Sequence, residues 1–135
     1  MKLKTGDSTT QVHRITESEV LAFAKISGDH NPIHVDEAFA RTTPFGARIA
    51  HGMFVGSLLS AILAPRLPGP GSIYLSQTFK FLRPAFLGEE ISITVTVLEV
   101  RPDKPIVRLE TKVLNAKGES ILEGEAVAKV PNLER

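Results

Sequence analysis

Two side chains that can move protons, Asp29 and His34, lie five residues apart on a segment that cannot be regular helix throughout. Gly28 offers the positive φ that commonly ends a helix. Pro32 has no N–H to donate, and it biases Asn31 away from the right-handed helical region. The segment is therefore predicted to leave a helix and cross over as an extended turn that displays both side chains. An Asp and a His in a partly buried site can share a water molecule and divide the roles of base and acid.

Each of these residues also has an ordinary structural explanation. Asn-Pro is a common turn signal, Asp29 could cap a helix or form an Asx turn, and His34 could be a hydrogen-bonded core histidine. Taken one by one, the residues do not decide between these roles and catalysis. The feature that favours catalysis is the combination Gly-Asp-x-Asn-Pro-x-His within a single short segment.

Residues 23–34, FAKISGDHNPIH, resemble the signature of the MaoC-like, (R)-specific enoyl-CoA hydratase family. The resemblance covers almost the whole chain, through IAHGM at 49–53, GPGSIYL at 69–75 and FKFLRP at 79–84. It implies a hot-dog fold and the reversible, (R)-specific hydration of trans-2-enoyl-CoA to (R)-3-hydroxyacyl-CoA, with no cofactor. Such a lyase links fatty-acid β-oxidation intermediates to uses of 3-hydroxyacyl-CoA such as polyhydroxyalkanoate supply.

The first half of the chain is predicted to be mainly helical. Thr16 and Glu19 make a capping box for an amphipathic helix that runs to about Ser27. A second short helix is expected over Glu37 to Arg41. Residues 51–64 then form a helix that is apolar on every side and stops before a proline. A helix that is apolar all round is expected to be buried.

The second half is rich in Ile, Val, Thr, Tyr and Phe and is predicted to form strands. Alternation is clearest from Ile91 to Val97, where the odd positions are expected to face a core. Short links between the strands favour antiparallel neighbours. One α+β domain spanning residues 1–135 is predicted, in which an antiparallel sheet wraps the central helix. The strands are expected at 10–15, Ile73 to Leu82, Ile91 to Glu99, Ile106 to Leu114 and Ser120 to Val130.

The composition excludes several classes of protein. The chain of 135 residues contains no cysteine, which excludes disulfides and thiolate metal sites and suits a reducing cytoplasm. Sixteen basic residues are dispersed among fifteen acidic ones, so bulk charge does not favour nucleic-acid binding. The longest apolar stretch is interrupted and too short to span a bilayer. A cytoplasmic protein without a membrane segment is therefore expected.

Hydration of a 2-enoyl thioester needs a base for water, an acid for C2 and donors for the charge that develops on the thioester oxygen. Asp29 is predicted to be the principal base and His34 its partner, which orients the water. Which residue protonates C2 stays open. The backbone N–H of Gly52, at the start of the central helix, is the predicted oxyanion donor. His51 beside it is expected to be structural.

The remaining substrate contacts are predicted more coarsely. Asn31 joins Gly52 in the set expected to bind substrate, and the acyl tail is expected to run along the central helix past Ser60 and Leu63. Truncation of Leu63 would only cost stability if its side chain packs into the sheet instead. No metal is expected, because the nearest cluster, Asp29, His30 and His34, lacks further carboxylate ligands. The nucleotide end of CoA is assigned to surface cations, with Arg83, Lys80 and Arg48 as candidates.

Three rival functions remain open on the sequence alone. A hot-dog domain can be a thioesterase, a non-catalytic acyl-binding module, or a dehydratase that acts on acyl carrier protein substrates in the reverse direction. The Asp29 and His34 pair argues against the first two, since neither needs two ionisable groups in an apolar cleft. An exposed sheet edge and an open cleft also predict a two-fold homodimer.

Overall fold

A computed structural model describes residues 3–131 of the chain. The predicted domain also covers 1–2 and 132–135, which lie outside the described residues. The elements follow the predicted order, with helices in the first half and most strands in the second. They are β1 Ser8–Arg14, α1 Glu17–Ser27, α2 Pro32–Val35, α3 Glu37–Arg41, α4 Gly52–Ser57, α5 Ser60–Leu63, β2 Ile73–Gln77, β3 Lys80–Phe81, β4 Glu90–Val100, β5 Ile106–Leu114 and β6 Ser120–Lys129.

The strands form one six-stranded sheet in the order β1-β4-β5-β6-β2, and β3 also pairs with β6. All the pairings are antiparallel. The short links at 101–105 and 115–119 join β4 to β5 and β5 to β6 as hairpins, as their turn residues predict. Along β4, the odd positions Ile91, Ile93, Val95 and Val97 are each at most 2% exposed, which confirms the predicted inward face.

The strand predicted from Ile73 to Leu82 is interrupted in the structure. After β2 ends, the backbone N–H of Thr78 donates to Glu125 O at 2.9 Å, and the chain re-enters the sheet as the two-residue β3. The carbonyl of Thr78 approaches β6 so closely that a Cβ on Gly124 would overlap it. The glycine therefore allows a backbone crossing that alternation along β2 could not reveal.

Helix α1 begins and ends as the sequence predicts. Thr16 Oγ1 accepts the N–H of Glu19, and the Glu19 carboxylate accepts the N–H of Thr16, which completes the capping box. At the other end Gly28 has φ 81° and donates its N–H to Ala24 O. Val20 and Ala24 are buried on the inner face of the helix. Because the helix stops at this glycine, the chain turns directly into the segment that carries Asp29.

The prediction of the central helix is wrong in two respects. It is not continuous, because Leu58 and Leu59 donate to carbonyls three residues back and separate α4 from α5. It is also not buried on every side: Val55, Leu59 and Ile62 face the core, whereas Met53, Ser57, Ser60, Ala61 and Ala64 are exposed. The sheet covers only one side of the segment, so Met53 and the small residues on the other side are left without cover among residues 3–131.

The packing of α4 and α5 on the sheet forms one hydrophobic core. Its side chains come from the helical pair and from the inner faces of β4, β5 and β6. One antiparallel sheet packed on a central helical segment is the α+β hot-dog fold that the sequence predicts. No helix within residues 3–131 is long and apolar enough to cross a membrane.

Candidate active site

The predicted catalytic segment is a chain of local caps that leads from α1 into α2. The Asp29 N–H donates to Ser27 Oγ at 3.1 Å, and Asp29 Oδ1 accepts the Asn31 N–H at 3.1 Å. Asn31 caps α2, since its side-chain oxygen accepts the Ile33 N–H at 3.2 Å. His34 therefore lies on the short helix α2 rather than on an extended turn. The predicted extended conformation holds only as far as Asn31, whose ψ is 125°.

His34 is held by its Nδ1 atom. The ring is 8% exposed, and Nδ1–H donates to the carbonyl oxygen of Ile49 at 2.7 Å. A carbonyl oxygen can only accept, so Nδ1 carries the proton and Nε2 of the neutral ring is a free acceptor. Burial lowers the pKa of His34 below its usual value; the bond to Ile49 opposes this, and the neighbouring His51 adds to it. The neutral ring with a free Nε2 is thus the favoured state.

His51 completes the site, although the sequence indicated only a structural role for it. Its ring is 2% exposed and stacks on the His34 ring with centroids 3.9 Å apart. One ligand atom from each of Asp29, His34 and His51 lies within 4.8 Å of the others. In sequence His30 is the histidine nearest to Asp29 and His34, but its side chain is exposed, and the structure brings His51 to the pair instead. The segment IAHGM at 49–53 marked His51, but nothing local indicated its contact with His34.

The donor atoms of this cluster do not fit a metal ion. Imidazole lone pairs lie in the plane of the ring, and a bound metal needs the lone pairs of its ligands to converge on one point. The two rings are stacked with an interplanar angle of 29°, so their lone pairs run nearly side by side. Two of the four ring nitrogens are also engaged with the backbone carbonyls of Ile49 and Asp29. The chemistry open to this cluster is therefore proton transfer.

The cluster lies at one wall of a cavity of about 520 Å³. Most of the lining is apolar, and Gly52 at the first position of α4 belongs to it. The first hydrogen bond of that helix joins Val55 N–H to His51 O, so the Gly52 N–H has no partner within the helix. The other lining residues are Phe45, Ile49, Ala50, Met53, Val55, Phe81, Leu82, Arg83, Pro84, Ala85, Ile121 and Leu122.

Two features of the cavity differ from the sequence-based picture. The Asp29 side chain is exposed in the single chain, whereas the sequence suggested a partly buried pair. The glycine at 52 is required by a side chain, because a Cβ there would lie 2.7 Å from Cε1 of Phe81. The sequence indicated a role only for the backbone N–H of this glycine and did not indicate its contact with Phe81.

Residues 3–118 match the family model described as MaoC like domain. The chain belongs to the MaoC-like domain family. It is 45% identical over 129 residues to the (R)-specific enoyl-CoA hydratase of Aeromonas caviae, with 96% of each chain covered. It is 44% identical to the 3-hydroxybutyryl-CoA dehydratase of Methylorubrum extorquens, covering 98% of this chain and 83% of the relative. A solved structure of the A. caviae (R)-hydratase superposes with a TM-score of 0.94 at 45% identity, covering 96% of this chain and 98% of that one.

This MaoC-like chain has a second cavity of about 370 Å³ beside the first. Met53 lines both and separates them. Ser60 lines the second cavity, as the predicted acyl path requires. Leu63 is 3% exposed, belongs to the hydrophobic core and lines neither cavity, so its position favours the alternative in which it packs against the sheet. The rest of the lining is Phe23, Gly56, Ser57, Tyr74, Leu75, Ser76, Gln77 and Phe79.

The three cations suggested for the CoA nucleotide have different environments. Arg48 is 8% exposed and pairs with Glu17 at 2.7 Å and Glu37 at 3.7 Å, so it ties α1 to α3 and is not free for a phosphate. Lys80 borders a separate cleft on the sheet. Arg83 alone of the three lines the active-site cavity, where its side chain also donates to Ser120 O at 2.8 Å. Asn31 does not line the cavity, and its side-chain oxygen is used to cap α2.

Proposed function

We propose that this MaoC-like protein hydrates trans-2-enoyl-CoA to (R)-3-hydroxyacyl-CoA, in a reversible reaction that needs no cofactor. The observation that carries the proposal is the pair Asp29 and His34, with ligand atoms within 4.8 Å of each other at the wall of an apolar cavity. A conjugated enoyl thioester has an apolar tail that suits such a wall and a reactive carbon that requires a proton-handling pair. The names of the A. caviae and M. extorquens relatives support the same substrate class.

The protonation states of Asp29 and His34 suggest how one water molecule supplies both the oxygen added to C3 and the proton added to C2. The Asp29 carboxylate and the free Nε2 of neutral His34 are both acceptors, so together they can hold a water whose oxygen faces C3. As the O–C3 bond forms, Asp29 takes a proton from the water and the π electrons move toward the thioester oxygen. Neither group carries a spare proton at the start. The proton that reaches C2 is then the one removed from the water, delivered by Asp29 or through His34.

The charge that develops on the thioester oxygen needs a donor in the cavity. We assign this role to the backbone N–H of Gly52, which has no partner within α4 and borders the same cavity as Asp29 and His34. A donor fixed in the backbone does not have to reorganise as charge develops, which is the condition for effective oxyanion stabilisation. Asn31 acts indirectly, since its cap on α2 sets the position of His34.

The acyl tail is proposed to extend from Gly52 past Met53 toward the second cavity. Met53 is unbranched and 57% exposed, so its side chain can move to join the two cavities. Ser60 borders the second cavity, where a medium-length chain would end. Crotonyl-CoA would be accommodated by the first cavity alone, whereas longer chains would need Met53 to swing aside.

The rival functions require different chemistry from Asp29 and His34. A thioesterase attacks the carbonyl carbon and needs no acid for C2, and a binding module gains nothing from two ionisable groups beside apolar walls. A dehydratase on acyl carrier protein substrates uses the same residues in reverse, so the site geometry is equally compatible with it. We favour CoA because both relatives above are named for CoA substrates.

The decisive experiment follows crotonyl-CoA. Purified protein is mixed with the thioester, loss of the conjugated enoyl absorbance is recorded, and the configuration of the product is determined by chiral analysis. We expect loss of absorbance with (R)-3-hydroxybutyryl-CoA as the product. Release of free CoA thiol in place of hydration would support the thioesterase, and an (S) product would contradict the proposed stereochemistry. Parallel reactions with crotonyl-acyl carrier protein compare the two carriers by kcat/KM.

We further propose that the protein acts as a two-fold homodimer in the cytoplasm. The exposed stripe of α4 and α5 and the free edge of β2 together present an apolar surface, to which Met53, Ile73, Leu75 and Phe81 contribute with at least 52% exposure each. Monomeric proteins rarely expose large contiguous apolar patches, and an unpaired edge strand invites pairing. A second copy on this surface would also shield Asp29 and close the cavities. Fractionation of cells producing a tagged chain tests the compartment.

A further inference from the structure

The segment from Ile49 to His51 holds both members of the proton-handling pair. Ile49 O accepts Nδ1–H of His34 at 2.7 Å, and the Ile49 N–H donates to Ile33 O at 3.3 Å. Two residues later, the His51 ring bonds to the backbone oxygen of Asp29 through Nε2 at 3.0 Å. The same short segment therefore contacts the beginning and the end of the loop that carries the pair.

The hydrogen bond to Asp29 defines the protonation of His51. Because a carbonyl oxygen can only accept, Nε2 of His51 must carry the proton. The other nitrogen, Nδ1, is buried and has no hydrogen-bond partner among the described residues. Protonating Nδ1 would place an unpaired charged donor in a buried site, which is costly. In the neutral ring of His51 the proton is therefore on Nε2.

The ring of His51 also contacts two other aromatic rings. One side stacks on His34 at 3.9 Å between centroids, and the ring packs on Phe23 at 4.9 Å, which in turn packs on Phe54 at 5.7 Å. A ring clamped in this way has little freedom to rotate, so its bond to Asp29 O has a fixed direction. Its contact with His34 likewise limits the tilt of the catalytic ring.

We propose that His51 is a positioning residue for the hydration, which holds Asp29 through its carbonyl and His34 through ring stacking so that both face one water. The inference rests on the proposed function and adds to it a residue that touches neither water nor substrate in the reaction. This role explains why the N-cap position of α4 is a histidine whose Nδ1 is buried without a hydrogen-bond partner. An apolar ring at this position would pack without leaving a polar atom unsatisfied.

The proposal has a consequence for pH dependence. The charged or titratable groups around His34 are Asp29 from its own loop, His51 from the segment before α4, and Arg83, which lines the same cavity from the segment after β3. Of these, a positive charge on His51 opposes protonation of His34, whereas the Asp29 carboxylate favours it. Since His34 must be neutral to accept from water, activity falls as pH drops through its pKa. Removing the His51 imidazole is expected to move this acid limb of kcat/KM to higher pH.

Two variants separate the hydrogen bond from the stacking. His51→Phe keeps an aromatic ring between Phe23 and His34 but loses the donor to Asp29, whereas His51→Gln keeps a donor and loses the stack. We expect each to lower kcat on crotonyl-CoA by roughly 10- to 100-fold with little change in KM, because misplacement of catalytic groups by about 1 Å has costs of that size. His13→Gln, a change at a histidine that lies outside both cavities, should keep wild-type kinetics.

The acid limb of the pH profile of kcat/KM distinguishes a positioning role of His51 from a loss of folded protein in the variants. A purely structural defect would lower the amount of active enzyme and leave the pH profile in place. Wild-type kcat with an unshifted limb in His51→Phe would overturn the proposal. If that variant does not fold by circular dichroism, His51→Gln carries the same test.

A measurement on the wild-type protein needs no variant and no activity. Two-dimensional NMR of ¹⁵N-labelled imidazoles identifies which ring nitrogen carries the proton. We expect the Nε2–H tautomer for His51 and the Nδ1–H tautomer for His34 at neutral pH. A His51 ring protonated only at Nδ1 would overturn the proposal whether or not the protein proves to be a hydratase.

Discussion

Gly52→Ala is expected to lower turnover strongly while leaving the chain folded, because the added methyl group has to displace Phe81. In the structure the new Cβ would lie 2.7 Å from Cε1 and 2.8 Å from Cδ1 of the Phe81 ring, whereas ordinary contacts begin at 3.4 Å. The ring and the start of α4 must therefore separate by about 0.7 Å. Gly52 and Phe81 both line the active-site cavity, so the separation changes the space in front of the Gly52 N–H whichever of the two moves.

The two consequences of this separation differ in size. Phe81 is 53% exposed, so its ring can move at a cost near the lower end for overpacking, about 1 kcal/mol. That corresponds to a fall in Tm of roughly 3 to 6 °C for a chain of this size. A change of this size in the distance between the Gly52 N–H and a bound thioester oxygen is expected to lower kcat by about 100-fold. Rate and stability should therefore separate clearly.

Gly56→Ala is the matched control. It lies one turn along α4, and its new Cβ would lie 2.6 Å from Cζ of Phe79, so the steric conflict is of the same kind. Gly56 borders the second cavity and not the one that holds Asp29 and His34. We expect a similar fall in Tm with near wild-type kcat on crotonyl-CoA. Initial rates and thermal unfolding of both variants decide the matter: equal kcat in Gly52→Ala and Gly56→Ala would refute the role of the Gly52 N–H.

Three further expectations concern the pair, the acyl path and assembly. Asp29→Asn and His34→Ala should each lower kcat by several orders of magnitude with folding nearly intact, and the double variant should be little worse; an Asp29→Asn enzyme with a tenth or so of wild-type rate would contradict its assignment as base. Leu63→Ala should lower stability by about 2 to 5 kcal/mol without changing the chain-length profile on crotonyl-, hexenoyl- and octenoyl-CoA, because Leu63 is buried in the core. If Leu63→Ala accepted longer acyl chains than the wild type, Leu63 would line the acyl path, as the sequence predicted. Light scattering at micromolar concentration should give the dimer mass, and a monomer mass would remove the proposed assembly.

Features that depend on neighbours within a few residues could be predicted from the sequence. The capping box of Thr16 and Glu19, the helix end at Gly28 and the inward positions of β4 from Ile91 to Val97 are confirmed by the structure. Each arises from a backbone restriction or a side-chain period that operates over one or two turns or along a single strand. The same local information identified Asp29 and His34 as the residues able to do chemistry.

The errors share a different physical origin. The interruption between β2 and β3 depends on the approach of Thr78 to Gly124, and the burial of Arg48 depends on its pairing with Glu17. These partners are more than 30 residues apart, and no local period relates them. The exposed stripe of α4 and α5 was unexpected for the same reason, since apolar character on all sides does not say which side the sheet will cover.

The candidate active site shows most clearly which features local sequence determines and which depend on tertiary contacts. The types and spacing of Asp29 and His34 determined that proton transfer was possible, and the turn residues between them determined that the backbone would hold them at a helix end. Tertiary structure alone decided that His51 stacks on His34, that Gly52 opens onto the same cavity, and that Leu63 turns into the core. Local sequence constrains φ, ψ and side-chain periodicity, whereas these contacts depend on how the sheet packs against α4 and α5 as a whole.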